Sequence, residues 1–415
     1  MKFYFLGGFN EQGRSALYIE GRSRFLIDFG VKKIEENDKL GEIPLLDFPK
    51  PDFVLLTHAH QDHSAMLPLL VEKKILVPIY CTPPTKELTI QMCLNWYENY
   101  KVRGLEPPYS YESLKELEKL FVTVPYYETF EPLKNTRVTF YPSGHALGSA
   151  IVYVEDEYTV AHFGDTNFDD RFNLAPNLSF EAEIGIINGA YGDRIMDSET
   201  LRLDFLKHVR ESKRTVLIPC AALGRGQEVC LLLIESLADK PIYIAKSIIN
   251  NAKKMLEYTE YLRPEAPELI RKILTSDEIE IVDENNLQQI VDRGGVIIGP
   301  DAMLSSGIAL KVFKLIKDNV QDTVLLNGYL APGTLGKKLI TKEVSAGAAV
   351  KYAELKAHVD LEDNRTIIEK TLSKSKLILI HHGEEPKSLN LARALKDFYP
   401  ELDIKVPRVG ERIIL

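Results

Sequence analysis

Three of the nine histidines in this chain fall within six residues, in the stretch Thr57-His58-Ala59-His60-Gln61-Asp62-His63. Imidazole nitrogens gathered this tightly around a carboxylate make the mixed donor set that a borderline metal ion such as zinc takes. The run before it, Phe53-Val54-Leu55-Leu56, reads as a buried strand bounded upstream by Pro49, Lys50 and Pro51. His58 and His60 are two residues apart, so an extended strand end points both rings to one side. Asp62 and His63 then open a segment with helical spacing (Met66, Leu67, Leu69, Leu70), where a carboxylate suits the free amides and the dipole of a helix start. One histidine in such a turn would be an ordinary solvated side chain. Three with an aspartate between them point to a metal.

Four more polar groups sit where an apolar strand runs out, which is where open α/β sheets place their chemistry. They are His145 in Ser143-Gly144-His145-Ala146-Leu147-Gly148-Ser149, Asp165 in Phe163-Gly164-Asp165-Thr166, His358 in Lys356-Ala357-His358-Val359-Asp360, and the pair in His381-His382-Gly383-Glu384. Gly144 and Gly148 let the backbone bend tightly around His145. Asp165 could simply cap a turn, but two carboxylate oxygens also make it a natural bridge between two cations. Adjacent residues on an extended segment face opposite ways, so only one of His381 and His382 can join an inward cluster. Taken singly, each group is as well explained by a turn. Together, at successive strand ends, they imply one site.

The elements that must position these groups come in two rhythms. Strands are expected over 2–6, 15–20 and 24–29, then over 137–141, 151–154, 158–163 and 183–187, with helices over 85–100 and 111–121. Trp96 and Tyr97 on the first of these helices read as core. After Gly192 strands alternate with helices: Val216–Pro219, Ile242–Ala245, Val296–Gly299 and Val324–Asn327, separated by helical segments near 200–211, 225–238, 247–258 and 305–317. That is the pattern of a parallel sheet with helices on its faces. Beyond Gly347 a strand is expected near 350–355, a helix near 363–372, a strand at Leu377–Ile380 and a helix over 386–397. No repeat and no long linker interrupts the chain, so the middle block reads as an insertion packed on the first.

A chain of 415 residues with 45% apolar and 27% charged residues suits two globular units. The net charge of -9 excludes a generally basic coat, although a metal-lined groove with a few local cations can still hold phosphates. Cys81, Cys93, Cys220 and Cys230 lie in apolar contexts without paired spacing and read as buried, reduced thiols. The opening Met1-Lys2-Phe3-Tyr4-Phe5-Leu6-Gly7-Gly8 is a short strand, too short for a signal peptide or a membrane span, so a cytoplasmic protein is expected.

The motif His-x-His-x-Asp-His resembles the metal-binding signature of the metallo-β-lactamase superfamily, and Gly7-Gly8-Phe9-Asn10-Glu11-Gln12-Gly13-Arg14-Ser15 resembles its opening loop. The full order of polar groups, with Ala222-Leu223-Gly224-Arg225-Gly226-Gln227-Glu228 and Gly333-Thr334-Leu335-Gly336, resembles the β-CASP branch, whose members cut nucleic acids. The resemblance implies an αββα sandwich, residues 1–192 and 347–415, interrupted by an inserted α/β domain with a parallel sheet, residues 193–346. It implies two zinc ions per chain: one on His58, His60 and His145, the other on Asp62, His63 and His382, with Asp165 bridging. Two such ions about 3.5–4 Å apart would share a hydroxide and clamp phosphoryl oxygens. It makes His358 the proton donor to the leaving oxygen and leaves His162, His208 and His381 structural. A histidine at the position of His382 is typical of the RNA-cutting members, so single-stranded RNA is the expected partner; a homodimer also fits.

One position departs from the pattern. Where the branch carries an acid, Ile187-Asn188-Gly189-Ala190-Tyr191-Gly192 has Asn188, expected to orient His358 without contributing charge. Free amides at Ser305-Ser306-Gly307 and at Arg225-Gly226 are expected to receive phosphates. A zinc-dependent ribonuclease is therefore the leading expectation. An inactive RNA-binding scaffold, which Asn188 would suit, is the alternative; a small-molecule hydrolase fits the insertion badly, and a DNA nuclease fits His382 badly.

Overall fold

Along Lys2–Gly7, Phe3 and Phe5 point one way and Tyr4 and Leu6 the other, which is the two-residue period of a strand. The first pair joins Leu17, Ile19, Phe25, Ile27, Phe53 and Leu55 in one apolar layer. The second joins Tyr18, Leu26 and Val54 on the opposite face. Both faces of the sheet are thus buried, and two apolar layers must be covered. The computed structural model, which describes residues 1–36, 39–237 and 240–415, shows how.

Seven strands form the first sheet in the order Arg412–Ile414, Lys2–Gly7, Ala16–Glu20, Arg24–Ile27, Phe53–Leu55, Ile79–Cys81, Phe121–Thr123. Seven form the second: Ile404–Lys405, Leu377–His381, Ile184–Asn188, Thr159–His162, Ala150–Glu155, Thr136–Pro142, Thr129–Leu133. Their inner faces meet, with Val138, Phe140, Val152, Val160, Ile186 and Leu379 packed against the phenylalanines of the first sheet. Helices Leu67–Glu72, Pro83–Val102 and Tyr111–Leu120 cover the outer face of the first sheet, with Trp96 buried there and Tyr97 packed against it. Helices Leu361–Ile367 and Glu385–Phe398 cover the second. The result is the expected αββα sandwich.

The middle block is a six-stranded sheet in the order Ile279–Val282, Ile242–Ala245, Gly295–Gly299, Thr215–Pro219, Thr323–Leu326, Ala349–Tyr352, with every pairing parallel. Two expectations change here. Ala349–Tyr352 pairs with Thr323–Leu326, so the inserted sheet runs to Tyr352 and does not end at residue 346. The edge strand Ile279–Val282 also went unforeseen: its alternation of Ile279, Glu280 and Ile281 is short, and only Val282 of its four residues is fully buried. The helix expected over 225–238 spans Arg225–Ser236, and residue 238 lies outside the described residues. The insert leaves the sandwich after Ile184–Asn188 and returns to Leu377–His381, its parallel neighbour, with Asn188 in register with His381. All four cysteines are buried and unpaired. Among the described residues no helix is long and apolar enough to cross a membrane.

Candidate metal centre

The strand Phe53–Leu55 ends at the rim of the sandwich, and the chain turns through Gln61–Ser64 as a single helical turn. Gly30 makes that turn possible: a Cβ there would lie 1.8 Å from the Asp62 carbonyl oxygen. Within the turn, His58 Nε2 lies 3.1 Å from His60 Nδ1. His145, brought in by the bend between Gly144 and Gly148, places its Nε2 3.1 Å from the same atom. A tetrahedral metal with bonds of about 2.0–2.1 Å holds its ligand atoms about 3.3 Å apart, so the three nitrogens fit one ion.

A second set faces the first. Asp62 Oδ2 lies 3.1 Å from His382 Nε2 and 4.0 Å from His63 Nε2. Asp165 stands between the sets, its Oδ2 3.5 Å from His145 Nε2, 3.7 Å from His58 Nε2 and 3.5 Å from His63 Nε2. His63 Nε2 is buried and has no hydrogen-bond partner among the described residues, a costly arrangement in a protein interior unless an ion takes the lone pair. The donor atoms of His58, His60, His145 and Asp165, and those of Asp62, His63 and His382, cluster closely enough for each group to hold a metal ion.

The far side of each ring is tied down, and this aims the inward nitrogen. His63 Nδ1 donates to Asp28 Oδ2 at 2.6 Å and His145 Nδ1 to the Ala357 carbonyl at 2.9 Å, while His382 Nδ1 lies 2.8 Å from Asp165 Oδ1 and 3.2 Å from Asn188 Nδ2. His58 Nδ1 lies 3.0 Å from Thr57 Oγ1. His382 adopts a left-handed backbone conformation, with φ at 61°, which swings its ring inward while His381 completes the strand. Burial pushes His58 well below the ordinary histidine range, His60 and His145 to about 4 and His358 to about 3. Burial is also the largest influence on His63, but Asp165 and Asp28 outweigh it and hold that ring well above the usual value. Asp165 is likewise desolvated, yet His382 and His63 keep its carboxyl well below the carboxylate range. The site therefore offers neutral imidazoles at His58, His60 and His145 and an ionised carboxylate at Asp165, the forms that coordinate metal, whereas His63 holds a proton that a metal ion would displace.

Residues 16–161 match a metallo-beta-lactamase superfamily domain and residues 226–339 a Beta-Casp domain. An RNase J-like protein of Methanocaldococcus jannaschii is 30% identical over 421 residues that cover 95% of each chain. The chain belongs to the β-CASP branch of the metallo-β-lactamase superfamily. Another similar protein, the transcription termination factor FttA of Pyrococcus abyssi, is 29% identical over 438 residues, 94% of this chain and 68% of that protein. A probable RNase MJ4 of Methanocaldococcus jannaschii is 29% identical over the full length of both. The crystal structure of a protein of unknown function from Enterococcus faecalis V583 superposes with a TM-score of 0.61 at 16% identity, covering 100% of this chain and 99% of that one, and shares the fold.

Within this β-CASP chain several side chains do something other than the sequence suggested. Asn188 does not touch His358: its Nδ2 donates to Asp165 Oδ1 at 2.8 Å and its Oδ1 accepts from the Ala190 amide at 2.9 Å. The parallel register with Leu377–His381 directs Asn188 at Asp165 and His382. His358 instead stacks on His145, ring centroids 4.9 Å apart, with Nδ1 3.7 Å from Asp165 Oδ2. Arg225 is spent on Glu228 and the carbonyls of Leu355 and Lys356, and the Gly226 amide bonds the Ala221 carbonyl. Ser305 gives its amide to Asp301 and its carbonyl to Arg103, where the insert docks on the core. Those groups are engaged within the protein, whereas Ser306 and Gly307 open the helix Gly307–Ile316. His381 bonds Ser15 Oγ, His162 accepts from the Gly164 amide, and His208 lies on the helix Ser198–Glu211, outside the site.

Sequence reasoning missed Asp28. Its carboxylate accepts from the Thr57 amide and hydroxyl and anchors His63, all of them fully buried. A lone acid between Ile27 and Phe29 was the available signal, since a buried carboxylate demands donors.

Proposed function

We propose that this chain is a zinc-dependent ribonuclease that hydrolyses RNA phosphodiester bonds in the cleft between sandwich and insert. One observation carries the reading: a single oxygen, Asp165 Oδ2, faces both donor sets. His58, His60 and His145 would hold one zinc, Asp62, His63 and His382 the other, and Asp165 both. Two ions held there would supply activated water and neutralise charge on the phosphoryl oxygens. The names of similar proteins, an RNase J-like protein and a probable RNase, support RNA as the polymer.

The residues around the centre have their own tasks. A cavity of about 320 Å³ opens beside His358, walled by Tyr191, Tyr329, Tyr352, Lys337 and Lys387. Aromatic faces stack bases and lysines draw the phosphate backbone, so the cavity suits the nucleotide on the leaving side. His358 then gives its proton to the 3′-oxygen as the P–O bond breaks, leaving a 3′-hydroxyl and a 5′-phosphate. Burial, reinforced by His145 and His382 and opposed by Asp165, lowers the ring to about 3 and leaves it neutral. A phosphodiester anion beside it is the opposite charge that restores the proton. The catalytic group is thus armed by its substrate.

The test uses zinc-loaded protein with end-labelled RNA and DNA strands bearing 5′-phosphate or 5′-hydroxyl, sized on a gel. RNA cleavage that disappears with a chelator and in His60→Ala is expected, and the product ladder separates internal from 5′-terminal cutting. Intact strands with metal fully bound would sink the nuclease. That result would favour the scaffold reading, which the amide in place of an acid at Asn188 suits.

A further inference from the structure

The segment that carries His358 is the return path from the insert to the sandwich, between the strand Ala349–Tyr352 and the helix Leu361–Ile367. Irregular backbone in such a crossing would ordinarily be mobile. Here its polar groups are held in succession. The Leu355 and Lys356 carbonyls accept from Arg225 Nη2 at 3.1 and 3.0 Å. The Ala357 amide donates to the Tyr191 hydroxyl at 2.9 Å, and the Ala357 carbonyl accepts from His145 Nδ1 at 2.9 Å. The Lys356 ammonium is 5% exposed and lies within 3.1 Å of Asp169, Asp360 and Asp363.

We infer that Arg225 is a positioning residue for the catalytic centre, through which the inserted domain sets the orientation of His145 and the aim of His358. Arg225 is the first residue of the helix Arg225–Ser236, whose core belongs to the insert. Glu228, one turn on, binds Nη1 and fixes the plane of the guanidinium. Nη2 is left to grip two consecutive carbonyls, a fork that the point charge of a lysine does not reproduce. The third carbonyl in that row is the acceptor that chooses the tautomer of His145, leaving its Nε2 lone pair directed at His60 and Asp165. His358, the next residue, stacks on the ring so held. A shift of the insert therefore moves a candidate metal ligand and the proton donor together. At 14% side-chain exposure, Arg225 turns both Nη atoms to protein acceptors.

The inference rests on the metal-centre reading proposed above, and its test reads the metal before any RNA is added. Full-length protein, Arg225→Met, Arg225→Lys and Tyr191→Phe are each titrated with cobalt(II) and zinc, with thermal melting run alongside. Arg225→Met is expected to weaken the His58–His60–His145 site about 10–100-fold and to change its cobalt absorption spectrum, the scale on which partners of metal ligands act. The Asp62–His63–His382 site should keep its affinity. Arg225→Lys should recover only part of the loss, and Tyr191→Phe should show the same spectral change in weaker form. A purely structural arginine would lower the melting temperature and leave the spectrum of the folded fraction as in the parent; that result overturns the inference. Should Arg225→Met fail to fold, parental spectra in both Arg225→Lys and Tyr191→Phe overturn it equally. Failure of the parent to cut RNA bears on the nuclease reading and leaves these metal readouts intact.

Discussion

In the inserted domain the parallel strands bury Val216, Leu217, Ile218, Val296, Ile297 and Ile298 against helices supplying Val229, Leu233, Ile248 and Val312. The sandwich has apolar layers of the same kind, but its rim also buries Asp28, His58, His63, Asp165, His381 and His382. Of the nine histidines only His208 lies within the insert, on the helix Ser198–Glu211. One region is thus stabilised by burial, while the other gives up stability to keep desolvated imidazoles and carboxylates in one place. Affinity for metal and resistance to unfolding should accordingly respond to different substitutions.

The largest separation is expected from Ile297→Ala. It removes a fully buried side chain from the central strands of the insert and should lower the unfolding free energy by about 2–5 kcal/mol. Zinc content of the folded protein should stay at the parent level. Denaturant titration with metal analysis reads both, and a fall in zinc content would show that the two regions are not separable in this way.

Asp28→Asn should do the reverse. Its volume is nearly unchanged, but the charge that holds His63 Nδ1 is lost. Zinc affinity at the Asp62–His63–His382 site should fall about 10–100-fold. Competition with a chromophoric chelator measures this, and parental affinity would remove Asp28 from the centre.

The smallest and most gradual effect is that of pH on metal-free protein. His60 and His145 sit at about 4 in the folded state, against about 6.5 for an unfolded chain. Between those values the unfolded chain binds more protons, so this stability is full above pH 6.5 and is lost as pH falls toward 4. His58 and His358 act in the same direction, whereas His63, held high, contributes stability that is lost as pH rises. Hydrogen exchange should show strands of the sandwich opening before those of the insert as pH drops from 6.5. Simultaneous loss of protection in both would contradict the contrast.

The strands and the donor set were legible because they depend on period and type. Phe53-Val54-Leu55-Leu56 has to be a buried strand, and His58-x-His60-x-Asp62-His63 has few uses other than binding metal. Partners were not legible, because a partner is chosen by register between strands far apart in sequence. Asn188 looked like a neighbour of His358, but its place opposite His381 turns it toward Asp165. Arg225 has the composition of a phosphate contact, yet carbonyls 130 and 131 residues away occupy it. The edge strand Ile279–Val282 was hard to read because it is short and buries little, and the strand ending at Tyr352 was expected but not its pairing with Thr323–Leu326.

The insertion between two neighbouring parallel strands also sets an order in time. As a chain is synthesised, six of the seven candidate ligands, His58 through Asp165, emerge before the inserted domain begins, and His382 emerges only after it. The strand that delivers His382 must close a loop holding almost half the chain before it can lie beside Ile184–Asn188. A folded insert shortens that loop to its two ends, and Asn188 and His381 then meet in register. During synthesis the ligands of one candidate metal site therefore emerge early, while the Ala357 carbonyl that orients His145 and the last ligand of the other site, His382, follow only after the middle domain.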